Sequence, residues 1–228
     1  MKKYENILFD LDMTLLDFKS CEYNALKKTF EEYGVNIDGK THELYSLIND
    51  GLWKRLERGE INKNDLGTMR FKEFLEKMKI ERDADEVNEK YKENLSLQAI
   101  LMDGAKEVCQ SLYEDYNLYV ITNGTDWIQR SRLQLSSLSE FVKRMITSDE
   151  AGTPKPKKEF FDFFFKKTKL DKSTCLIVGD SITSDILGGV NYGIDTCLIC
   201  QKEPDGEIRP DYTLKNIRFL INLLQQIS

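Results

Sequence analysis

The sequence has few of the residues that build zinc sites and disulfide frameworks. It contains one histidine, His42, and five cysteines, an odd number scattered along the chain. Cys197 and Cys200 have the spacing of metal ligands, but no second cysteine or histidine pair completes a zinc site. We therefore interpret Cys197 and Cys200 as small buried residues of a strand.

The sequence also lacks a long apolar run and an excess of positive charge. No stretch approaches the roughly 18 apolar residues of a transmembrane helix, and the first residues lack the apolar region of a signal peptide. We therefore expect a cytoplasmic protein with no membrane partner. The net charge of −6 disfavours nucleic-acid binding through the overall field, although it leaves room for a local basic pocket.

Two acidic residues follow the first apolar run. Residues 6–9 (Asn-Ile-Leu-Phe) predict a buried strand, and Asp10 and Asp12 come directly after it. Open α/β sheets place ligands at the carboxyl ends of their strands, so these two side chains can converge on one site. Two close carboxylates repel each other unless a cation lies between them or one holds a proton. The pair therefore indicates either a divalent-metal site or two solvated turn residues.

The chain of 228 residues is long enough for a core domain with an insertion, and residues 17–101 have the pattern of that insertion. Apolar periodicity predicts helices at 21–33, 41–58, 66–78 and 83–95, without a strand signal between them. We predict a helical cap at 17–101 and a core made of residues 1–16 and 102–228. The buried stripe of the second helix is predicted to contain Leu44, Leu47, Ile48, Leu52 and Leu56.

Residues 103–228 alternate between strand and helix patterns. The predicted strands are 118–122, 145–147, 175–179 and 196–199, and the predicted helices are 104–114, 127–135, 158–167, 182–192 and 216–226. Residues 201–210 predict a surface loop. Apolar strands that alternate with helices indicate a parallel sheet covered on both faces. The predicted fold is therefore a doubly wound, Rossmann-like α/β core with an inserted helical cap.

Polar residues follow the second predicted strand as well. Thr122, Asn123 and Gly124 offer a hydroxyl group and backbone N–H groups to an oxyanion, and Gly124 permits close approach. The alternative interpretation is an ordinary turn at the end of a strand.

Further charged residues precede or follow later elements. Lys155 stands before Pro156, which favours an extended backbone, and its ammonium group can balance carboxylates and a phosphate or lie in solvent. Asp180 follows the strand 175–179, and its carboxylate oxygens suit Mg²⁺. Asp185 is a second metal-ligand candidate or an acid in the first turn of the next helix.

Taken together, these stretches resemble the motifs of the haloacid dehalogenase superfamily, which occur in this order at successive strand ends. The resemblance implies a doubly wound core with strand 1 in the centre, an aspartyl-phosphate or aspartyl-ester intermediate, and a helical C1 cap. The motifs are Asp10-x-Asp12-x-Thr14, Thr122-Asn123, Lys155-Pro156 and Gly179-Asp180-x4-Asp185.

The resemblance extends to the superfamily branch of pyrimidine 5′-nucleotidases and covers nearly the whole chain. One departure is Met13, where many superfamily members have glycine. The similar segments are 9–15, Leu52-Trp53, Gly59-x-Ile61, Arg70-Phe71, 121–124, 148–152 and 185–191.

The resemblance implies a role for each motif residue. Asp10 would be the nucleophile and Asp12 the general acid and base, with Lys155 as the third catalytic residue. Thr122, the Asn123 backbone N–H and Lys155 would bind the phosphate. Mg²⁺ would be held by Asp10, the backbone carbonyl of Asp12 and Asp180, with Asp185 acting either directly or through water. The expected protein is a Mg²⁺-dependent phosphomonoester hydrolase, a nucleoside 5′-monophosphatase that acts as a monomer or weak homodimer on a small-molecule phosphate ester.

Asp12 separates this prediction from related chemistry. The 2-haloacid dehalogenases of the superfamily lack a carboxylate here, and phosphonatases usually have alanine. A sugar-phosphate phosphatase, a β-phosphoglucomutase-like enzyme and a non-catalytic phosphate-binding module stay open as alternatives. In the cap, Trp53 is a candidate for stacking on a base and Arg70 for polar contacts to the substrate. The alternatives are packing between cap helices for Trp53 and a surface ion pair for Arg70.

Overall fold

The computed structural model describes residues 3–202 and 206–227. The chain divides into two compact units, which we call the sheet unit (Met1–Phe18 and Ala99–Ser228) and the helical unit (Lys19–Gln98). Their assignment as catalytic core and cap stays a prediction. Within the described residues, no helix combines the length and apolarity needed to cross a bilayer.

The elements are numbered in chain order. The strands are β1 (Asn6–Phe9), β2 (Asn117–Thr122), β3 (Val142–Thr147), β4 (Cys175–Gly179), β5 (Asp195–Ile199) and β6 (Tyr212–Leu214). The helices are α1 (Phe18–Glu31), α2 (Gly39–Glu57), α3 (Lys63–Met78), α4 (Ala84–Ser96), α5 (Ala105–Leu112), α6 (Asp126–Leu135), α7 (Ser148–Ala151), α8 (Lys158–Thr168), α9 (Leu187–Tyr192) and α10 (Phe219–Gln226). A 3₁₀ turn (Lys172–Thr174) precedes β4, and a π-helical turn (Ile182–Ile186) precedes α9.

The sheet unit contains one parallel sheet with the strand order β3-β2-β1-β4-β5-β6. β1 lies between β2 and β4, so the strand order reverses direction at β1, the point where doubly wound folds place their ligands. The predicted doubly wound core with a central first strand is therefore confirmed.

Successive side chains of a strand point to opposite faces of the sheet, and here both faces are apolar. On one face, Ile7 and Phe9 pack with Val108 of α5 and Leu220 of α10. On the other face, Leu8 belongs to a cluster with the α8 residues Phe160, Phe161 and Phe164. Burial of each such side chain contributes about 1.5–3 kcal/mol. β1 is covered on both faces, and this fixes the position of the residues that follow it.

The structure differs from the predicted elements at the edges of the sheet. β3 begins at Val142 rather than residue 145, because its first half carries exposed Lys143 and Arg144 and has no apolar pattern. β6 has three half-buried residues, too few to give a strand signal. The predicted helix 182–192 is a π-helical turn followed by α9, and the last helix begins at Phe219 rather than residue 216. The predicted loop 201–210 lies partly outside the described residues.

All five cysteines are free thiols. Cys197 is buried in β5, as predicted, and burial raises the pKa of its thiol to about 12. The prediction for Cys200 is wrong, because Cys200 lies one residue beyond the end of β5 and is partly exposed. A protonated, buried thiol is unreactive, so Cys197 contributes packing rather than chemistry.

The chain segments that lead into and out of the helical unit pair with each other. The backbone N–H of Asp17 donates to the carbonyl of Ile100 at 2.9 Å, and that of Met102 donates to Leu15 at 2.9 Å. Leu16 and Leu101 form an antiparallel bridge between these two bonds. All these residues belong to the sheet unit, so the insertion begins and ends at one place on it.

The helical unit has an aromatic core. α3 packs against both α2 and α4, and the ring centroids of Tyr45, Phe71 and Tyr91 lie 5.3 to 5.6 Å apart. The predicted stripe of α2 is wrong at Leu47, which is 72% exposed. Tyr45 and Asn49 are buried instead, so the inward face of α2 is turned toward these two positions.

Arg70 is buried inside the helical unit rather than in a surface ion pair, so that alternative is wrong. Its guanidinium donates to Asn49 Oδ1 at 2.9 Å and to Asn88 Oδ1 at 3.2 Å. Asn49 in turn donates to Glu22 Oε1 at 2.8 Å, which links the buried positive and negative charges through one amide. The guanidinium carbon also lies 4.8 Å from the ring centroid of Tyr91. These contacts give Arg70 a structural role within the unit.

Arg70→Ala should lower the free energy of unfolding by about 3 kcal/mol, because it deprives two buried amides of a charged donor. Lys72 is an exposed residue of the same helix, so the control Lys72→Ala should change this free energy by less than about 0.5 kcal/mol. Urea unfolding followed by circular dichroism measures both values. Equal and small changes would show that the Arg70 contacts contribute little.

Candidate active site

Asp10 lies at the carboxyl end of β1 in the centre of the sheet. Its backbone N–H donates to the carbonyl of Val178 in β4 at 2.8 Å, so the residue stays tied to the neighbouring strand. Its side chain is nearly buried and accepts a hydrogen bond from Lys155 Nζ at 2.8 Å. This position is the ligand edge that the strand order predicts.

Lys155 is fully buried and brings three parts of the sheet edge together. Its Nζ donates to Asp10 Oδ1 at 2.8 Å, to Asp185 Oδ1 at 2.6 Å and to the Ile121 carbonyl at 2.8 Å. Burial acts to lower the pKa of Lys155, but the charges of Asp10 and Asp185 outweigh it and raise the pKa. The side chain is therefore an ammonium ion, whereas Lys157 and Lys158 are exposed.

Asn123 fixes the backbone that carries Lys155. The Lys155 N–H donates to Asn123 Oδ1 at 2.8 Å, and Asn123 Nδ2 donates to the Lys155 carbonyl at 2.9 Å. This two-point contact joins the end of β2 to the segment before α8. The sequence prediction assigned only the backbone N–H of Asn123 to phosphate binding, so this function of its side chain was missed.

Three carboxylates form a cluster beside Lys155. Among the described residues, Asp10, Asp180 and Asp185 each offer an oxygen within 4.8 Å of the others. Asp185 lies in the π-helical turn, is fully buried and accepts from the Ser181 N–H at 3.2 Å. It is therefore turned into the cluster rather than into solvent.

Gly179 provides the space for Asp185. A Cβ atom at Gly179 would lie 2.2 Å from Asp185 Oδ2, a distance that no real side chain tolerates. Gly179 is thus required because a side chain there would collide with the Asp185 carboxylate, and not because of a turn.

The cluster carries more negative charge than Lys155 can neutralise. Burial raises the pKa of Asp180 to about 7, and Asp185 acts in the same direction while Lys155 opposes it. Burial likewise raises the pKa of Asp10 well above its usual value, against the effect of Lys155. Three carboxylates around one ammonium ion supply hard oxygen donors and unbalanced charge. This set fits a divalent cation such as Mg²⁺.

Thr122 is oriented as an oxyanion donor. Its Oγ1 accepts from Gln129 Nε2 at 2.8 Å and from the Gly124 N–H at 3.1 Å. Both partners donate, so the hydroxyl proton of Thr122 is left for an acceptor such as a phosphate oxygen. A Cβ at Gly124 would lie 2.3 Å from Gln129 Nε2, so this glycine makes room for the Gln129 side chain.

The Asp12 carboxyl group is held by two residues of α6 that the sequence prediction missed. Arg132 Nη1 donates to Asp12 Oδ1 at 2.6 Å, and Gln129 Nε2 donates to Oδ2 at 2.7 Å. Gln129 and Arg132 are both buried, whereas Arg130 between them is exposed. A glutamine and an arginine three residues apart on the inward face of a helix were the available signal.

Met13 adopts a left-handed backbone conformation, with φ of 61°. This conformation costs a non-glycine residue roughly 1 kcal/mol. It explains why glycine is the common residue at this position in the family that the motifs resemble. The local turn carries the chain from Asp12 to Thr14.

The two predicted specificity residues belong to the helical unit. Trp53 lies in α2 and is partly buried, and Arg70 is buried in α3. A contact of either residue with a substrate stays a prediction.

Comparison with known proteins identifies the family. The family model of the haloacid dehalogenase-like hydrolases matches residues 7–199 of the chain. The chain belongs to the haloacid dehalogenase-like hydrolases. The predicted family is confirmed.

Two proteins that are similar to this chain are pyrimidine 5′-nucleotidases. PynA of Streptococcus pneumoniae is 37% identical over 195 residues, which cover 85% of this chain and 82% of PynA. YjjG of Escherichia coli is 30% identical over 226 residues, 97% of this chain and 98% of YjjG. The crystal structure of the HAD-hydrolase YfnB from Bacillus subtilis, bound to magnesium, has a TM-score of 0.93 and 34% identity, and covers 98% of this chain and 99% of YfnB.

The raised pKa of Asp180 makes the stability of the metal-free hydrolase depend on pH. Its pKa is about 7 in the folded protein and 3.8 ordinarily, so the folded state binds more protons between these values. The contribution of Asp180 to the free energy of unfolding should therefore fall as the pH rises from about 4 to about 7. Asp180→Asn removes this titration, so its stability relative to wild type should increase over the same interval.

Urea unfolding in EDTA at several pH values measures the difference. Asp162 is an exposed aspartate and serves as the control. Its pKa is shifted in the opposite direction, since hydrogen bonds from Lys158 and Tyr192 lower it. Asp162→Asn should show the opposite and weaker trend. A constant difference between Asp180→Asn and wild type across the interval would contradict the prediction.

Proposed function

We propose that the protein is a Mg²⁺-dependent phosphomonoester hydrolase that acts through an aspartyl-phosphate on Asp10. The observation that carries the proposal is the pair of carboxyl groups at the end of β1. Asp10 is nearly buried against Lys155, and Asp12 is held two residues later by donors from α6. Two carboxyl groups in such different surroundings suit different tasks, one as nucleophile and one as acid and base.

In the proposed reaction, an Asp10 oxygen attacks phosphorus and the bond to the leaving oxygen breaks. Lys155 engages Oδ1 of Asp10, so we assign the attack to Oδ2. Asp12 gives its proton to the leaving oxygen, and its carboxylate then takes a proton from the water that attacks the aspartyl-phosphate. Phosphate leaves, and the Asp10 carboxylate is restored.

The residues around Asp10 can hold the transferring phosphoryl group. The Thr122 hydroxyl and the Asn123 backbone N–H supply donors of fixed position. The Lys155 ammonium group, whose three protons point to Asp10, Asp185 and Ile121, supplies positive charge beside the phosphoryl group. Bound by Asp10, the Asp12 backbone carbonyl, Asp180 and Asp185, Mg²⁺ would neutralise the charge of carboxylate and phosphate. The magnesium in the YfnB crystal structure supports this choice of metal.

The proposed substrates are nucleoside 5′-monophosphates, with a preference for pyrimidine bases. Support comes from PynA and YjjG, two pyrimidine 5′-nucleotidases that match this chain over most of their length. The presence of Asp12 argues against a 2-haloacid dehalogenase.

The two aspartates should differ in their effect on turnover. Asp10→Asn should abolish activity, because it removes the nucleophile. Asp12→Asn should lower kcat by roughly 10²–10⁴-fold, because the phosphoryl group still binds but proton transfer is lost. Release of inorganic phosphate from UMP measures both. Turnover of Asp10→Asn near the wild-type rate would rule out the covalent mechanism.

The substrate assignment predicts an order of catalytic efficiencies. UMP and dTMP should exceed AMP by roughly tenfold, because discrimination by pocket size is modest. β-Glucose 1-phosphate should be a poorer substrate than UMP. EDTA should abolish phosphate release in every case, and Mg²⁺ should restore it.

Measurement of kcat/KM for the four compounds, with analysis of the sugar product, tests this order. A preference for β-glucose 1-phosphate with release of phosphate would favour a sugar phosphatase. Formation of glucose 6-phosphate would favour a mutase. Full activity in a rigorously metal-free preparation would contradict the metal requirement.

A further inference from the structure

Arg132 and Gln129 form a fork around the carboxyl group of Asp12, and both side chains are about 1% exposed. Arg132 contacts Oδ1, Gln129 contacts Oδ2, and Arg132 Nη1 also donates to Gln129 Oε1 at 2.8 Å. The two arms of the fork therefore brace each other. Contacts to both oxygens fix the position of the carboxyl group and also its rotation, which one hydrogen bond would leave free.

The fork leaves lone-pair positions of the Asp12 carboxyl group unoccupied. A carboxylate has about four lone-pair positions, and each arm of the fork occupies one position on one oxygen. The remaining positions are available for a proton or for a reacting oxygen. The fork thus orients Asp12 without blocking it.

The fork also ties Asp12 to the phosphate donor Thr122. Gln129 Nε2 lies 2.7 Å from Asp12 Oδ2 and 2.8 Å from Thr122 Oγ1, so one amide group contacts both. The missing side chain of Gly124 leaves the space that Gln129 occupies. One helix face therefore sets the distance between the acid–base group and a donor to the phosphoryl group.

Removal of the Arg132 guanidinium from water is costly, and a buried ion pair often returns little net stability. A role in the site is therefore a better explanation for this arginine than stability. Arg132 pairs with Asp12, whose side chain is 28% exposed, and its guanidinium carbon lies 5.6 Å from the ring centroid of Phe18. The guanidinium is thus fixed from two sides.

We propose that Arg132 and Gln129 are positioning residues that hold Asp12 in line with the leaving oxygen and, in the second step, with the attacking water. This inference rests on the proposed phosphatase function and assigns two residues to its acid–base step. In the first step, the proton passes from Asp12 to the leaving oxygen as the phosphorus–oxygen bond breaks and the Asp10–phosphorus bond forms.

Two substrates with different leaving groups separate positioning of Asp12 from a general structural role. UMP has an alkoxide leaving group that needs a proton, whereas p-nitrophenyl phosphate releases a stable phenolate that does not. kcat/KM reports the steps up to this bond cleavage. Arg132→Ala should lower kcat/KM for UMP by roughly 10²-fold and for p-nitrophenyl phosphate by less than about threefold.

Two further variants keep the test independent of the folding of Arg132→Ala. Gln129→Leu removes the other arm at similar volume and should lower kcat/KM more for UMP than for p-nitrophenyl phosphate. It should also lower both values by a common factor, because Gln129 contacts the phosphate donor Thr122 as well. Arg132→Lys retains one charged donor and should recover part of the UMP activity. Arg130→Ala is the matched control, because Arg130 is an exposed arginine of the same helix that pairs with Asp126 and Glu150. It should leave both efficiencies unchanged, and thermal unfolding should show that all variants are folded.

The outcomes distinguish this inference from the proposed function. If the wild-type protein hydrolyses neither compound, the proposed function fails and the inference fails with it. If the wild-type protein hydrolyses both and the Arg132 and Gln129 variants lose equal activity on both, the residues are structural. If those variants lose no activity, Asp12 performs its proton transfer without the contacts to Arg132 and Gln129. Either of the last two results overturns the inference and leaves the phosphatase function intact.

Discussion

The sheet edge depends on one buried ammonium group. Lys155 is excluded from water, so its charge must be met by protein oxygens, and a buried charge without partners would cost several kcal/mol. Its three acceptors come from different places: Asp10 after β1, Ile121 in β2 and Asp185 after β4. A shift of any one of these strands would break a contact to the ammonium group. Lys155 therefore holds the strand ends in the arrangement on which the candidate site is built.

This arrangement favours chemistry over stability. Asp10, Asp180 and Asp185 lie within 4.8 Å of one another, and burial raises the pKa of Asp180 to about 7. A protein selected for stability alone would not retain so much like charge in a buried place. The charge is useful where a cation and a phosphoryl group are to be held together. The neighbouring carboxyl group of Asp12 is paired with Arg132, and its charge still acts to raise the pKa of Asp10 and of Asp180.

Apolar pattern predicted most of the fold, because the strands beside β1 are continuous apolar runs and the helices have a clear period. The same pattern missed β6 and half of β3, where edge strands carry polar residues. Buried polar contacts were harder still. The three-residue spacing from Gln129 is a local sign that Arg132 faces inward, but it does not reveal the partner, since Asp12 is 120 residues away in the sequence. The buried contacts of Arg70 were missed for the same reason, because Asn49 and Asn88 come from other helices.

The paired segments at residues 15–17 and 100–102 have a consequence for the chain as a polymer. Hydrogen bonds join Asp17 to Ile100 and Leu15 to Met102, so the polypeptide leaves the sheet unit and returns to it at neighbouring points. Chain ends that lie this close can be joined by a short turn. A gene in which the codons for residues 19–98 are replaced by a glycine-containing turn would therefore encode a continuous sheet unit. The helical unit is thus an insertion in the connection from β1 to α5, and no strand of the sheet lies within it.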